Sequence, residues 1–242
     1  MSSPSRPPRY DAEMETRRIP GLWAAALLLA VLAGAGHLLA ESAGETLGAL
    51  LAKPIPVLLL LAWVCMAGVS QLKWPVAAGL ALSAVGDVMI QRPGGFLAGL
   101  AFFLAAHLAY TTGFWRSSPA LQAARALPFL LFGSLMGYWI TPGTAGMALP
   151  VGVYILAICV MMWRAAALSG APRLDPRVGR LATAGAVLFA ASDSLIAMHR
   201  FVAPQPWADP PIMILYWLGQ AGIAAAAVVA GRAQTPAAGG AR

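Results

Sequence analysis

The sequence predicts an all-α polytopic membrane protein: a bundle of eight transmembrane helices with both termini in the cytoplasm. The first observation is the composition, since 60% of the residues are hydrophobic and 10% are charged, whereas soluble globular domains carry about 25% charged residues. The second is that the apolar residues form eight runs long enough to cross a bilayer. The third is the uneven distribution of Lys and Arg between alternate connecting segments. Together they exclude an ordinary water-soluble domain.

Each apolar run is bounded by clusters of Pro, Gly, Lys or Arg. An α-helix needs about 20 residues to cross the hydrocarbon core of a bilayer. The predicted spans are residues 21–40, 54–70, 75–91, 95–114, 126–141, 147–168, 179–198 and 211–231, and the tails 1–20 and 232–242 are expected to be disordered. We expect the first span to be retained, although "AGA" near its middle resembles a signal-peptide cleavage site.

The basic residues set the predicted orientation. With a cytoplasmic N-terminus, 13 of the 16 Lys and Arg residues lie in cytoplasmic segments, in agreement with the positive-inside rule. The outer segments then hold Lys53, Arg92 and Arg200. Topology and attraction to anionic lipid therefore explain the net charge of +7, and we expect a lipid bilayer rather than nucleic acid as the partner. In a bacterium this bilayer would be the inner (cell) membrane.

Two short segments of the chain resemble each other. "LSAVGDVMI" in the third span and "FAASDSLIA" in the seventh each carry an Asp among small and apolar residues, with an Arg a few positions later. Because these spans run in the same direction, a duplication would divide the domain into two four-helix halves, about 21–114 and 126–231. Such a repeat would place Asp87 and Asp193 at equivalent depth, where they could face each other.

Asp87 and Asp193 are the main candidates for function. A charged side chain at the centre of a membrane costs about 2.5–3.5 kcal/mol on insertion scales, so each Asp needs protonation, pairing or hydration. Gly79, Ser83 and Asp87 are spaced four residues apart, which places them on one helix face. This small, polar face should point into the bundle, because the other faces are apolar.

Other polar side chains fall at related depth, and each also has a purely structural interpretation. The predicted supporting residues are Ser83, His107, Tyr110, Ser192, Tyr216 and Gln220 within the spans, with Lys53, Arg92 and Arg200 at the outer mouth. A Tyr can anchor a helix at the membrane interface, a Gln can bridge two helices, and a His can simply pack. The outer cations can be ordinary charges that extend to the headgroups.

Motifs for several other chemistries do not occur in the sequence. There is no HExxH or CxxC spacing for a metal, no GxSxG elbow and no P-loop, so we expect neither a metal nor another cofactor. Acid–base chemistry by two carboxyl groups in a dry, outward-facing cavity remains. Two neighbouring carboxyls do not readily both ionise, so one is expected to keep its proton and act as an acid while the other stays charged.

An ordered set of segments carries a family resemblance: "KPIPVLLL", "ALSAVGDVMI", "FLAGLAFFLAAHLAY", "GAVLFAASDSLIAMHRF" and "LYWLGQAGIA". Together they resemble the YhhN-like family of membrane proteins, which includes lysoplasmalogenases, over roughly residues 50 to 230. The resemblance implies an eight-helix hydrolase that cleaves the vinyl ether bond of lysoplasmalogens to a fatty aldehyde and a glycerophospho-base, without a metal. It also implies that Asp87 and Asp193 are the catalytic residues.

The implied reaction requires an acid. Cleavage of a vinyl ether begins with protonation of its alkene carbon, which leaves an oxocarbenium ion that water attacks, and proton transfer to carbon is slow. A protonated Asp would supply the proton, and its ionised partner would stabilise the cation and activate water. The sequence leaves open which Asp is the acid. We expect the outer Lys and Arg residues to bind the lipid phosphate.

Two other functions remain open at this point. A proton-coupled transporter would also combine a repeat with carboxylates inside the membrane, although spans broken at matched places in both halves are not evident. A lipid-binding membrane protein would use the same aspartates without catalysis. A third alternative keeps the enzymatic chemistry but takes another enol ether lipid as its substrate.

Overall fold

The computed structural model describes residues 10–234, which are almost entirely α-helical, with no β-strand in that range. Eight helical segments of this range are long and apolar enough to cross a membrane. The prediction of an all-α membrane protein with eight spans is therefore confirmed.

The helices follow one another with short connections. Their bounds are α1 Tyr10–Ser42, α2 Thr46–Ala52, α3 Ile55–Met66, α4 Lys73–Ile90, α5 Phe96–Ser117, α6 Leu127–Ile140, α7 Ala148–Ala167, α8 Pro176–Phe201 and α9 Asp209–Gln234. Short 3-10 turns at Ala123–Ala126, Thr141–Gly143 and Leu168–Gly170 lie at the ends of α6 and α7. Apart from the second, each candidate span is a single long helix or one extended by such a turn.

The second span differs most from its predicted position. It covers Leu47–Met66 rather than residues 54–70 and consists of α2 followed by α3. Lys53 and Pro54 suggested a boundary, but they form a turn inside the apolar segment. Pro interrupts the helix because it has no backbone N–H, and a Lys within an apolar segment can extend its amine along its alkyl stem towards water. Lys53 therefore lies within the candidate span, not outside it.

The ends of the described chain also differ from the predicted tails. Helix α1 begins at Tyr10, inside the segment expected to be disordered, and α9 continues to Gln234. Residues 1–9 and 235–242, the rest of the predicted tails, lie outside the described residues. The chain divides between residues 56 and 57 into two compact units, a division different from that of the two four-helix halves, which stay a prediction.

The first unit contains α1, α2 and the beginning of α3. Its two leading helices pack together around His37, which is completely buried. The Nδ1 atom of His37 lies 2.9 Å from the carbonyl oxygen of Ala49 on α2, and its Nε2 atom lies 3.4 Å from the carboxylate of Glu41. Several of the unit's described Leu side chains, among them Leu27, Leu32 and Leu47, are exposed, as expected for helices in contact with lipid.

The second unit contains the remaining helices, of which two pairs pack most closely: α4 with α5, and α8 with α9. Small residues permit this approach. A Cβ added at Gly185 or Gly219 would collide with the backbone of the facing helix, so α8 and α9 meet backbone to backbone there. A Cβ at Gly79 of α4 would overlap the ring of Tyr110 on α5. Helix α7 packs against α5, α6 and α8.

The connection between α5 and α6 is fixed by a buried cation. Arg164, near the C-terminal end of α7, is completely buried. Its guanidinium donates to the carbonyl oxygens of Ser118, Ala120 (3.0 Å) and Leu121 (3.2 Å) and stacks 4.3 Å from the ring of Trp115. Because α7 holds this connection and contacts both helices, α5 and α6 are consecutive in the chain without being closely packed neighbours.

Candidate active site

A mostly apolar cleft lies near one end of the second unit. We call this the cleft end; it carries the α4–α5, α6–α7 and α8–α9 connections. The cleft wall consists mainly of Phe, Ile, Leu, Val and Met side chains from α4 to α8. Its polar side chains are Tyr154, Asp193 and Ser194. A mostly apolar cleft with a few polar groups is the usual form of a site for a small apolar ligand.

Asp193 of α8 lies deep in the cleft. It precedes Phe201, at the mouth, by eight residues, which corresponds to about 12 Å along a helix. The hydroxyl of Tyr154 donates a 2.7 Å hydrogen bond to Oδ2 of Asp193, and Nε2 of His107 lies 3.6 Å from the same oxygen. Oδ1 accepts no hydrogen bond from the described residues. One carboxyl oxygen is therefore fixed and the other remains available to a ligand.

Asp87 of α4 lies behind this wall. It is 1% exposed and does not line the cleft. The hydroxyl of Tyr216 on α9 donates a 2.8 Å hydrogen bond to its Oδ2. Tyr216, which donates to Asp87, and His107, which lies against Asp193, both contact the ring of Phe189. The fold thus brings the two predicted aspartates together, one at the cleft surface and one buried.

A polar chain continues inward from Asp87. Gln220, completely buried on α9, lies beside the hydroxyl of Tyr216 and accepts a 2.7 Å hydrogen bond from Tyr110 through its Oε1 atom. Ser83, also buried, lies beside the Tyr110 hydroxyl. These residues were predicted to support the site, and the structure places them on the side of Asp87, away from the cleft. The hydrogen bonds from Tyr216 to Asp87 and from Tyr110 to Gln220 connect α4, α5 and α9.

Aromatic rings surround both carboxylates. The ring of Phe189 lies 4.7 Å from that of His107 and 5.3 Å from that of Tyr216, measured between centroids. Phe103, part of the cleft wall, lies 6.2 Å from Phe189 and 5.9 Å from Tyr216. These edge-to-face contacts fill the space around the acids with apolar surface. A charge that forms here is poorly screened and interacts strongly with its neighbours.

Ser192 is oriented differently from its neighbours in sequence. It is 1% exposed, and its hydroxyl donates a 2.9 Å hydrogen bond to the carbonyl oxygen of Ile212 on α9. Ser194, on the other side of Asp193, lines the cleft. The structure therefore gives Ser192 a role in joining α8 to α9. Within the described part of the chain, no group of three or more His, Cys, Asp or Glu side chains is suited to a metal ion.

The three predicted outer cations lie in different places. Arg200 is at the mouth of the cleft, where its guanidinium lies 3.7 Å from the ring centroid of Phe96, a residue of the cleft wall. Arg92 is exposed in the turn between α4 and α5. Lys53 belongs to the first unit, between α2 and α3. Of the two predicted cations in the second unit, Arg200 contacts the wall of the cleft.

Tyr154 was missed by the sequence reading. Its hydroxyl is the hydrogen-bond donor nearest to Asp193 among the described residues, yet it lies in "VGVYILAICV", a segment that is otherwise apolar. The available signal was its position well inside a span. An interfacial anchor would lie nearer the end, as does Tyr138, which is 78% exposed on α6.

Comparison with known proteins identifies the family. The model of the YhhN family matches residues 48–227, a range that includes both aspartates. The chain belongs to the YhhN family. Within the family it is 35% identical over 170 residues to lysoplasmalogenase TMEM86B of Rattus norvegicus, which covers 69% of this chain and 67% of the relative. It is 34% identical over 176 residues to lysoplasmalogenase TMEM86B of Homo sapiens, covering 71% and 72%.

A bacterial relative of this YhhN family member is also similar. The lysoplasmalogenase of Mycobacterium tuberculosis is 35% identical over 141 residues, which cover 54% of this chain and 51% of the relative. No solved structure matches the chain. The resemblance expected from the ordered motifs is thus confirmed at the level of the family.

Proposed function

We propose that the protein is a membrane-embedded lysoplasmalogenase, which hydrolyses the vinyl ether bond of a lysoplasmalogen to a fatty aldehyde and a glycerophospho-base. The relatives' names support this reaction, and one structural observation carries it for this chain. A carboxyl group, Asp193, lies in an apolar cleft, and a second carboxyl, Asp87, is buried in the same cluster of aromatic side chains. An apolar cleft fits a lipid chain, and the paired acids fit a reaction that begins with proton transfer to carbon.

The spacing between Asp193 and Arg200 fits the proposed substrate. They are seven residues apart on α8, which places them on nearly the same helix face, about 10 Å apart along the axis. In a lysoplasmalogen, seven bonds separate the phosphorus from the alkene carbon that accepts the proton, roughly 8 Å in an extended chain. A phosphate held by Arg200 therefore brings that carbon to Asp193. Arg92 and Lys53 stay predicted phosphate contacts.

In the proposed reaction Asp193 is the acid. It transfers its proton from Oδ1 to the alkene carbon, while the hydrogen bond from Tyr154 to Oδ2 keeps the carboxyl oriented. The positive charge that develops on the ether oxygen and its neighbouring carbon is stabilised by the Asp87 carboxylate. Because aromatic rings surround both carboxylates, this interaction is less screened than it would be in bulk water.

Water then completes the hydrolysis. It adds to the oxocarbenium carbon and gives a proton to the Asp193 carboxylate, which forms a hemiacetal and restores the acid. Asp193 next protonates the glycerol oxygen while the hemiacetal hydroxyl returns a proton to the carboxylate. The carbon–oxygen bond breaks, and the products are the aldehyde and the glycerol hydroxyl. Asp193 ends protonated, as it began, and neither oxidant nor reductant is consumed.

Aldehyde release from a defined lipid tests this function. Purified wild-type protein in detergent should release aldehyde from an alkenyl lysophosphatidylethanolamine and none from the alkyl analogue, whose saturated ether has no alkene to protonate. Asp193→Asn, checked for folding by circular dichroism and size exclusion, should release none. A folded wild-type protein that leaves every alkenyl lysolipid intact would refute the proposal.

A transporter has less structural support. Discontinuous helices at matched places in two repeats are typical of transporter sites. The span Leu47–Met66 is interrupted between α2 and α3, but the sixth span, its counterpart in the predicted repeat, contains the continuous helix α7. A lipid-binding protein without catalysis would leave alkenyl and alkyl lysolipids equally intact, so the aldehyde assay separates it from the enzyme.

A further inference from the structure

We infer that the cleft holds the hydrocarbon tail of a single-chain phospholipid, which enters sideways from the bilayer between α5 and α6, with Ile158 limiting the depth available to the tail. This inference rests on the proposed function for the position of the headgroup. It adds the entry route, the chain subsite and a residue that controls chain length.

The gap between α5 and α6 is the first observation. Both helices line the cleft, α5 through Leu100 and Phe103, and α6 through Phe132 and Met136. Among the described helices, α5 packs closely with neither α6 nor α8. Ring contacts of Phe96 with Phe201 and of Phe103 with Phe189 nevertheless join α5 to α8. Helix α6 is covered little by the protein, since Met136 and Ile140 are its buried residues. The side of the cleft between α5 and α6 is therefore the one that we take as open.

The faces beside this gap suit a bilayer. On α5, Leu97 and Leu108 are 54% and 53% exposed, and on α6, Leu130 and Leu131 are 52% and 64% exposed. In a helix that crosses a membrane, such side chains contact lipid tails. A hydrocarbon tail that moves from the bilayer into the gap exchanges one apolar environment for another and does not have to cross water.

The lining of the cleft suits a hydrocarbon tail. Apart from Tyr154, Asp193 and Ser194, every residue of its wall is apolar. An apolar wall with a few polar groups at one place fits a ligand that combines a hydrocarbon chain with one reactive group.

The length of the tail requires a lateral exit. With the alkene at Asp193, about 14 carbons remain, which extend roughly 17 Å. Ile158 lies one helical turn, about 6 Å, beyond Tyr154 on the same face of α7 and forms part of the deep wall. The deep end thus takes only the first few carbons, and the rest of the tail must turn outward. The gap between α5 and α6 gives it a path into the bilayer.

Arg164 gives this gap a structural cause. At the end of the unit opposite to the cleft, its buried guanidinium ties the backbone of the α5–α6 connection to α7. This attachment keeps α6 against α7 rather than against α5. The opening is thus built into the fold.

A chain-length series tests the subsite. Ile158→Trp fills the deep end, so its kcat/KM for a 16-carbon alkenyl lysolipid should fall about tenfold more than its kcat/KM for a three-carbon one, whose chain ends one carbon beyond the alkene. Leu156→Trp is the matched control, because Leu156 lies two residues away on α7 and is 57% exposed; it should change neither. Equal effects of Ile158→Trp on both lipids would overturn the inference.

A second experiment needs neither a variant nor hydrolysis. A saturated alkyl ether lysolipid with a diazirine in the distal half of its tail is crosslinked to the wild-type protein, and the labelled peptides are mapped. Labelling of α5 and α6 near Leu100 and Phe132, which excess unlabelled lysolipid competes away, is the expected result. The inference is overturned if these segments are not labelled, or if the unlabelled lysolipid does not reduce their labelling.

The two experiments separate this inference from the proposed function. Competed labelling of α5 and α6 in a folded protein that releases no aldehyde would support the tail site and refute the lysoplasmalogenase. Aldehyde release without competed labelling there, and without chain-length discrimination by Ile158→Trp, would leave the enzyme and remove the lateral site.

Discussion

Asp87 and Asp193 occupy corresponding positions in two similar segments, but their surroundings differ. Each accepts a hydrogen bond from a Tyr hydroxyl, Tyr216 for Asp87 and Tyr154 for Asp193. The side chain of Asp193 is 11% exposed on the cleft wall, whereas Asp87 is 1% exposed behind it. Two acids with the same local sequence thus differ in access to a ligand. This difference is the basis for proposing Asp193 as the proton donor and Asp87 as the charge behind it.

Replacement of each acid in turn is the strongest test of the different roles proposed for Asp193 and Asp87. Asp193→Asn removes the proton donor and should lower kcat about 10³-fold or more. Asp87→Asn removes a stabilising charge and should lower kcat about 10²-fold. Steady-state kinetics of the two folded variants measure both effects. A larger loss in Asp87→Asn would reverse the assigned roles.

The two Tyr donors should differ in the kind of effect. Tyr154→Phe leaves Asp193 unoriented and should lower kcat about tenfold, with little change in KM. Tyr216→Phe removes a donor from a fully buried carboxylate and should lower the free energy of unfolding by about 1–3 kcal/mol, with a smaller effect on kcat. Kinetics and thermal melting of both variants provide the comparison. Equal losses of stability and activity in the two variants would show that the surroundings of Asp87 and Asp193 are equivalent.

The two outer Arg residues extend the comparison to the substrate headgroup. Arg200→Gln should raise KM about fivefold at unchanged kcat, because a phosphate contact at the mouth is lost while the acids stay in place. Arg92→Gln, in the turn after the helix of Asp87, should raise KM less. If kcat falls and KM stays constant in Arg200→Gln, then Arg200 does not bind the headgroup.

The smallest effect is expected in the polar chain behind Asp87. Tyr110→Phe removes the 2.7 Å hydrogen bond to Gln220 and should lower the free energy of unfolding by about 1 kcal/mol. Activity should stay within about twofold of the wild type, since Tyr110 does not line the cleft. A loss of activity comparable to that of Tyr154→Phe would mean that the polar side chains behind Asp87 take part in the reaction.

Particular residues show how much of the site could be predicted from the sequence. The third and seventh spans and both aspartates were predictable, because a carboxylate within an apolar run stands out from its neighbours. Tyr216 and Gln220 were predictable as a pair on one helix face for the same reason. Tyr154 was not, since a Tyr is amphipathic and occurs both at membrane interfaces and in cores. Lys53 was placed outside its span because a charge beside a Pro normally marks an end.

The amino-acid sequence by itself determined the all-α membrane fold and the number of spans, because the free energy of burying a helix in a bilayer depends on local composition and length. It also determined which residues are too polar for lipid. Only the tertiary structure decided that Asp193 faces the cleft and Asp87 does not, that Ser192 joins α8 to α9, and that α5 and α6 are not closely packed. Those features depend on which helices pack together and on how each is rotated about its axis. Residues far apart in the chain decide both.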